Sequence, residues 1–363
     1  MKKPFDSSFL QGLSLRILSY FVQSVFPIYA IYEAGLHGLN YWVALILFWT
    51  LGGIGSLLPY IKKLSSTDFS MIIILISLIT FFTQKYLLIS LGLIWFFLSG
   101  LTGKVVFISY NFNRLKGIIS YMRGVSVGLF ISILLTLLGY LRFFASVGLY
   151  VSALLFALSV VVLYFSLNNT PKDGGFEKLS LIDLLKALKG NKVYFRTLAN
   201  SLAWSAFSSY LYYILYSVVK FNYKISLVAV FISILSSFLT RFILEPSQAN
   251  LNFWEKASVL LYSVSFLGIF LSIIMRQILL LALSSALLGI SHGILPPLLI
   301  YESLSSLSEN RYRGYLAYNA YTGVGEFLSN VFFGIMLAFS ILRYFYLIPF
   351  IILVIVIFID KAK

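Results

Sequence analysis

Apolar residues are concentrated in twelve long runs that are separated by short polar connections. The runs cover roughly 10–33, 41–60, 69–84, 87–110, 122–142 and 145–167, then 194–219, 224–244, 254–275, 277–301, 314–340 and 342–359. Each is near the length of about 20 residues with which an α-helix crosses a bilayer. The runs lack the alternation of a membrane β-strand. The pattern therefore predicts twelve transmembrane helices, split six and six by the longest charged interval of the chain.

The composition excludes a soluble globular protein. Hydrophobic residues make up 60% of the 363 positions and charged residues 11%, and the mean hydropathy is +0.95. A soluble chain of this length could not hide so much apolar surface from water. The first run follows Lys2 and Lys3, but no small-residue cleavage site closes it, so we expect a membrane helix there and not a signal peptide. We predict an all-α polytopic membrane protein.

The polar residues offer little chemistry for catalysis. The chain has no cysteine and two histidines, so a His/Cys metal site is not expected. The acids are scattered, and Ser291 and His292 are neighbours that project in different directions from a helix. We therefore predict no enzyme activity and no cofactor.

The basic residues predict the orientation. Most of the 27 Lys and Arg residues fall in connections that share a side with both chain termini. Positive charge is enriched on the cytoplasmic side of membrane proteins, so we expect both termini in the cytoplasm, in the cell (plasma) membrane. The net charge of +15 is then explained by loops lying against anionic headgroups. No nucleic-acid partner is expected.

The long charged interval predicts a linker between two domains. We expect an N-terminal six-helix bundle over 1–167, a cytoplasmic linker over 168–193, and a C-terminal six-helix bundle over 194–363. Within the linker, Ser180 and Asp183 form a capping box, leucines recur on one face, and Gly190 provides a stop. This pattern predicts a short amphipathic helix on the inner membrane surface.

The two halves carry a faint internal repeat. Three identities recur at one offset of 190 residues, so that Gly103, Arg123 and Gly124 match Gly293, Arg313 and Gly314. They occupy equivalent places in the two sets of six segments. We interpret this as a duplication that produces two pseudo-symmetric bundles, an arrangement common in transporters.

With these features the chain resembles the major facilitator superfamily of secondary transporters. Pro27, Tyr29 and Gly35 near the first outward turn, and the Arg-Gly pairs that open the fifth and eleventh segments, are similar to that family. The signature loop after the second segment departs from the pattern, because Pro59 stands where the family has an aspartate. The fifth segment lacks the Gly-Pro motif of drug/proton antiporters. The resemblance implies twelve helices in two bundles that move a solute by alternating access.

A carboxylate at the end of the eighth segment suggests a gate. Glu245 could bind the N-terminus of the fifth segment at Arg123 and Gly124, where free N–H groups favour an anion. Pro59 cannot provide the equivalent contact to Arg313, so this gate would be asymmetric. Alternatively, Glu245 is a solvated loop acid.

The eleventh segment contains the deepest acid of the chain. Four polar residues follow one another at steps of three, four and four and share one helix face: Asn319, Thr322, Glu326 and Asn330. Ionisable groups at membrane depth usually face water or a partner. We therefore predict that Glu326 couples transport to protons. In the alternative interpretation, Glu326 is a neutral acid that is hydrogen-bonded to Asn319 or Asn330.

Other segments supply further candidates for a solute cavity. The seventh segment has polar and aromatic residues at a four-residue spacing: Asn200, Trp204, Ser208, Tyr212 and Tyr216. The remaining candidates are Arg16 and Gln23 on the first segment, Lys104 on the fourth and His292 on the tenth. Arg16, Lys104 and His292 could together receive an anion, and His292 could also handle a proton. Alternatively, Arg16 and Lys104 reach the inner headgroups, His292 is a structural histidine, and the tyrosines pack.

The predicted function is secondary active transport of a small organic solute, coupled to protons, with a weak lean towards an organic anion. Two alternatives stay open, namely efflux of lipophilic compounds on the same fold and a membrane receptor or assembly protein without transport activity. The expected partners are the solute, the lipid bilayer and protons, and we expect a monomer.

Overall fold

The computed structural model describes residues 7–61, 64–142, 147–169, 192–243, 250–305 and 311–361. These residues form helices joined by short connections. The helices are α1 Ser7–Tyr32, α2 Gly38–Ile61, α3 Ser66–Thr83, α4 Leu87–Arg142, α5 Val147–Asn169, α6 Lys192–Ser217, α7 Tyr223–Ile243, α8 Leu251–Met275, α9 Ile278–Ser305, α10 Arg311–Ala338 and α11 Leu347–Lys361. Ten helical stretches in the described ranges are long and apolar enough to cross a membrane. The prediction of an all-α polytopic membrane protein is confirmed.

The helix α4 contains both the fourth and the fifth predicted segments. It has 56 residues, and a straight helix of that length would extend about 84 Å, far beyond a bilayer core of about 30 Å. Two separate stretches of α4, 87–106 and 116–136, each qualify as a membrane span. The contacts of these two stretches show how α4 fits the fold.

The first stretch of α4 packs along α2. A Cβ added at Gly52 would overlap the indole of Trp95, and further along both helices a Cβ added at Gly100 would lie 2.9 Å from the carbonyl oxygen of Gly55. Residue numbers rise together in these pairs. This stretch of α4 therefore runs parallel to α2.

The second stretch of α4 packs along α1. A Cβ added at Gly124 would overlap the carbonyl oxygen of Phe9, and the Ser132 hydroxyl donates to the carbonyl oxygen of Ile17 at 2.9 Å. This stretch is therefore parallel to α1. The two stretches of the helix α4 therefore pack on two different helices of the first unit.

The chain packs as two compact units, residues 1–33 with 47–183 and residues 34–46 with 184–363. Most of the predicted linker, 170–191, lies outside the described residues, so the boundaries 1–167, 168–193 and 194–363 stay predictions. The second unit repeats the pairing of the first. Here α6 lies along α10, where Ser201 donates to the carbonyl oxygen of Thr322 at 2.8 Å, and α7 lies along α9, where Gly289 abuts the backbone of Ser233.

The first turns of α2 belong to the second unit. The Tyr41 hydroxyl donates to the carbonyl oxygen of Ser209 at 2.8 Å. The Trp42 indole N–H donates to the backbone carbonyl oxygen of Asn330 at 2.8 Å. The backbone N–H of Gly38 donates to the Tyr213 hydroxyl at 3.1 Å. Hydrogen bonds thus fix the start of α2 on α6 and α10.

Candidate solute site

The centre of the candidate site is a stacked pair of rings, Trp204 on α6 and His292 on α9. The ring centroids are 3.8 Å apart and the planes are inclined by 9°. Both residues lie near the middle of their helices, and therefore deep in the membrane. His292 is 8% exposed, whereas Trp204 is only half-buried. The pair leaves part of the indole accessible for contact with a solute ring.

A proline pair breaks the backbone ladder of α9 next to His292. Pro296 and Pro297 have no N–H group, so the carbonyl groups of His292 and Gly293, four residues earlier, lose their helical donors. Arg241 on α7 supplies the missing donors. Its Nη2 donates to the carbonyl oxygen of His292 at 2.8 Å, and its Nε donates to the carbonyl oxygen of Gly293 at 3.1 Å. The buried guanidinium, 4% exposed, thereby fixes the backbone that carries the His292 ring.

Polar atoms without hydrogen-bond partners lie on α6, which carries Trp204, and on α10, which packs along α6. In the described part of the chain they include Asn200 Oδ1 and Ser208 Oγ on α6, and Asn319 Nδ2 and Thr322 Oγ1 on α10. Such atoms also occur on α1, α2, α7 and α9, so these four are candidates for contact with a solute because of their place on α6 and α10.

The polar face of α10 is positioned by close packing on α6. Gly325 lies against the backbone of Leu198, and Tyr321 stacks on Tyr194 with centroids 5.3 Å apart. Glu326 is half-buried beside this contact. The predicted stripe thus faces partly into the packed unit, and its acid retains some access to the surroundings.

Two predicted cavity residues, Asn330 and Tyr212, are almost fully buried within the second unit, and their role in a cavity stays a prediction. Asn330 is 2% exposed, its side-chain oxygen accepts a hydrogen bond from the Tyr210 hydroxyl, and its carbonyl oxygen accepts one from Trp42. Tyr212 is also 2% exposed, whereas Tyr216 is 40% exposed. The four-residue stripe of α6 therefore divides, and its half-buried members Trp204 and Ser208 offer more surface to a solute.

Each predicted cation of the first unit has a local partner. The Arg16 guanidinium lies 4.9 Å from the centroid of the Tyr20 ring, close enough for a cation–π interaction. Lys104 binds the carbonyl oxygen of Leu64 beyond the end of α2. Gln23 is half-buried on α1. A joint anion site of Arg16, Lys104 and His292 stays a prediction.

The gate residues are only partly within the described ranges. Glu245 lies outside them, as does the side chain of Arg313. Arg123 is half-buried, next to the glycine at which α4 touches α1. The Glu245 latch stays a prediction.

An ion-pair cluster at one end of the second unit was not anticipated. Arg196 at the start of α6 pairs with Glu255 at the start of α8, and its Nη1 lies 3.8 Å from Glu302 at the end of α9. Glu255 is 1% exposed. One signal in the sequence indicates this cluster, because all three residues fall within a turn of a predicted segment end on the same side.

The fold of this chain is similar to the folds of known transporter structures. No family model and no curated protein sequence matches the chain. Among solved structures, it is similar to a variant of the nucleoside transporter NupG, with 15% sequence identity, a TM-score of 0.69 and 98% of each chain covered. It is also similar to the human organic anion transporter MFSD10 (TETRAN), with 12% identity, a TM-score of 0.64, and 95% of this chain and 98% of that chain covered. The shared fold extends over nearly the whole chain.

Proposed function

We propose that this chain, which has the fold of the major facilitator superfamily, is a secondary transporter that moves a small organic solute across the membrane by alternating access. In this proposal it lies in the plasma membrane with both termini in the cytoplasm, as the distribution of basic residues favours. It needs no cofactor, and its partners are the solute and the coupling ion.

One observation carries the proposal. Trp204 and His292 stack near the middle of α6 and α9, and part of the indole stays accessible. The helix α6 also carries the amide of Asn200, and α10, which packs along α6, carries Asn319 and Thr322. An aromatic face together with amide and hydroxyl groups can bind a solute ring and its polar edges.

The geometry favours a solute with a planar ring and polar edges. A ring can stack on the accessible part of the Trp204 indole, while amide and hydroxyl groups of α6 and α10 orient its edges. A protonated His292 would also attract an anionic group. The two similar transporters carry the names of a nucleoside and an organic anion transporter, and both solute classes include planar rings.

We assign proton coupling to Glu326, with His292 as a second candidate. An ionisable group at membrane depth usually faces water or a partner, and Glu326 is half-buried on the polar face of α10. The Glu326→Gln variant should transport solute without following an imposed pH gradient. Uptake by this variant that still follows the gradient would remove Glu326 from the role.

Transport itself is tested with the purified protein in proteoliposomes. Saturable counterflow of a nucleoside or an aromatic organic anion is the expected result, and Trp204→Leu should reduce it about tenfold or more because it removes the stacking surface. Trp254→Leu is the matched control, since Trp254 is half-buried on α8 and contacts the Phe253 ring. Equal loss in both variants would contradict the assigned site. Absence of flux across a broad solute panel would favour a receptor or assembly protein.

A further inference from the structure

A second cavity of the second unit lies at the opposite end from the ion-pair cluster. It has a volume of about 410 Å³ and is lined by His37, Tyr213, Tyr216, Ser217, Lys220 and Phe221. His37 belongs to the connection between α1 and α2, and the other residues belong to the end of α6 and the connection to α7. With the proposed orientation, this cavity opens to the outside of the cell.

The lining is rich in hydrogen-bond donors and, among the residues that the structure describes, contains no acid. Lys220 contributes an ammonium group, Ser217 and Tyr216 contribute hydroxyl groups, and His37 contributes an imidazole that lies nearly parallel to the Tyr216 ring, with centroids 6.4 Å apart and planes inclined by 17°. The rings of Tyr216 and Phe221 add apolar surface. An anion with an aromatic or apolar body matches both properties.

The backbone places Lys220 directly after the end of α6. Lys220 has φ +64°, a left-handed conformation that glycine adopts at lower cost. The Phe221 N–H donates to the carbonyl oxygen of Leu215 at 2.8 Å, as in the glycine-containing ends of many helices. This helix end holds the backbone from which the Lys220 side chain lines the cavity.

The wider surroundings at this end are also basic. The connections between α6 and α7, α8 and α9, and α10 and α11 contain Lys220, Arg276 and Arg343, and Lys224 lies at the start of α7. The nearest acid in the sequence is Glu33, at the other end of the α1–α2 connection. A surface with this balance attracts anions before they bind.

From these observations we propose that the His37–Lys220 cavity is a binding site for a small organic anion, separate from the Trp204–His292 site. The carboxylate of the anion binds Lys220 and His37, and its body lies against Tyr216 and Phe221. The site holds anions at the outer mouth of the protein, whether or not they are the transported solute.

Calorimetric titration of the full-length protein in detergent tests this site with benzoate as the probe. Benzamide is the neutral control, because it has nearly the same shape without the charge. We expect benzoate to bind at least about tenfold more tightly than benzamide, and His37→Gln and Lys220→Gly each to weaken benzoate about fivefold to tenfold. Lys224→Gln is the control for a nearby charge.

The Lys220→Gly variant separates binding from folding. Glycine relieves the left-handed strain but gains freedom in the unfolded chain, so its thermal stability should stay close to that of the parent while its benzoate affinity falls. Unchanged benzoate affinity in both His37→Gln and Lys220→Gly would overturn the proposal. Loss of benzoate binding in Trp204→Leu alone would also overturn it, and would place the anion at the solute site of the proposed transporter.

Discussion

The contact between Arg241 and the proline pair of α9 provides a sharp test of how the solute site is held. Arg241→Met removes the guanidinium and retains a long apolar side chain. The carbonyl oxygens of His292 and Gly293 then lose the donors that Arg241 gives them, and Pro296 and Pro297 provide none within the helix. Each buried acceptor left without a donor costs about 1–3 kcal/mol, so the variant should lose about 2–6 kcal/mol of stability.

The same reasoning predicts a rescue. In the Pro296→Ala/Pro297→Ala double variant, the N–H groups of residues 296 and 297 return and can donate to the two carbonyl groups four residues earlier. Arg241→Met should therefore cost less in this background than in the parent chain, by up to the about 2–6 kcal/mol assigned to the two unpaired acceptors. Such a reduced cost can be assigned to the carbonyl oxygens of His292 and Gly293, because the packing lost around Arg241 is the same in both backgrounds and cancels from the comparison.

The measurement is reversible unfolding in mixed micelles, with increasing sodium dodecyl sulfate and circular dichroism as the readout. All four corners of the double-mutant cycle are needed, together with Lys224→Met as a control for replacing an exposed cation on the same helix. The control should change stability by less than about 0.5 kcal/mol. Additive effects of the arginine and proline changes would refute the proposed donor–acceptor relation.

Two further predictions concern helix contacts away from the site. Gly124→Ala should lower the unfolding free energy by about 1–3 kcal/mol, because the new Cβ overlaps the backbone of Phe9. Gly53→Ala is the control, since the space around Gly53 is open and the change should be tolerated. Equal effects of the two changes in the same micelle titration would contradict the close α1–α4 contact. Glu255→Gln should lower the unfolding free energy by about 1–3 kcal/mol. This is less than the about 3–5 kcal/mol of a fully broken buried pair, because Arg196 keeps a second acid, Glu302, nearby. The Tm of the variant in detergent should fall, and an unchanged Tm would argue against a stabilising ion pair.

Local sequence patterns predicted the helices because hydropathy reports directly on burial in lipid. Two helices, α6 and α11, are absent from the ten apolar spans. The apolar stretch of α11 is shorter, whereas most residues of α6 are buried. Its buried positions include serines, tyrosines and Asn200, which face protein rather than lipid. A hydropathy average counts these residues as polar, but their four-residue spacing still indicated a helix.

The contacts between distant segments could not be predicted in the same way. The missing donors of Pro296 and Pro297 are visible in the sequence, but their replacement by Arg241 depends on the packing of α7 against α9. Similarly, the grouping of Arg196 with Glu255 and Glu302 requires three helix ends to meet. Spacing along one helix predicts which residues share a face, and tertiary packing then decides which faces touch.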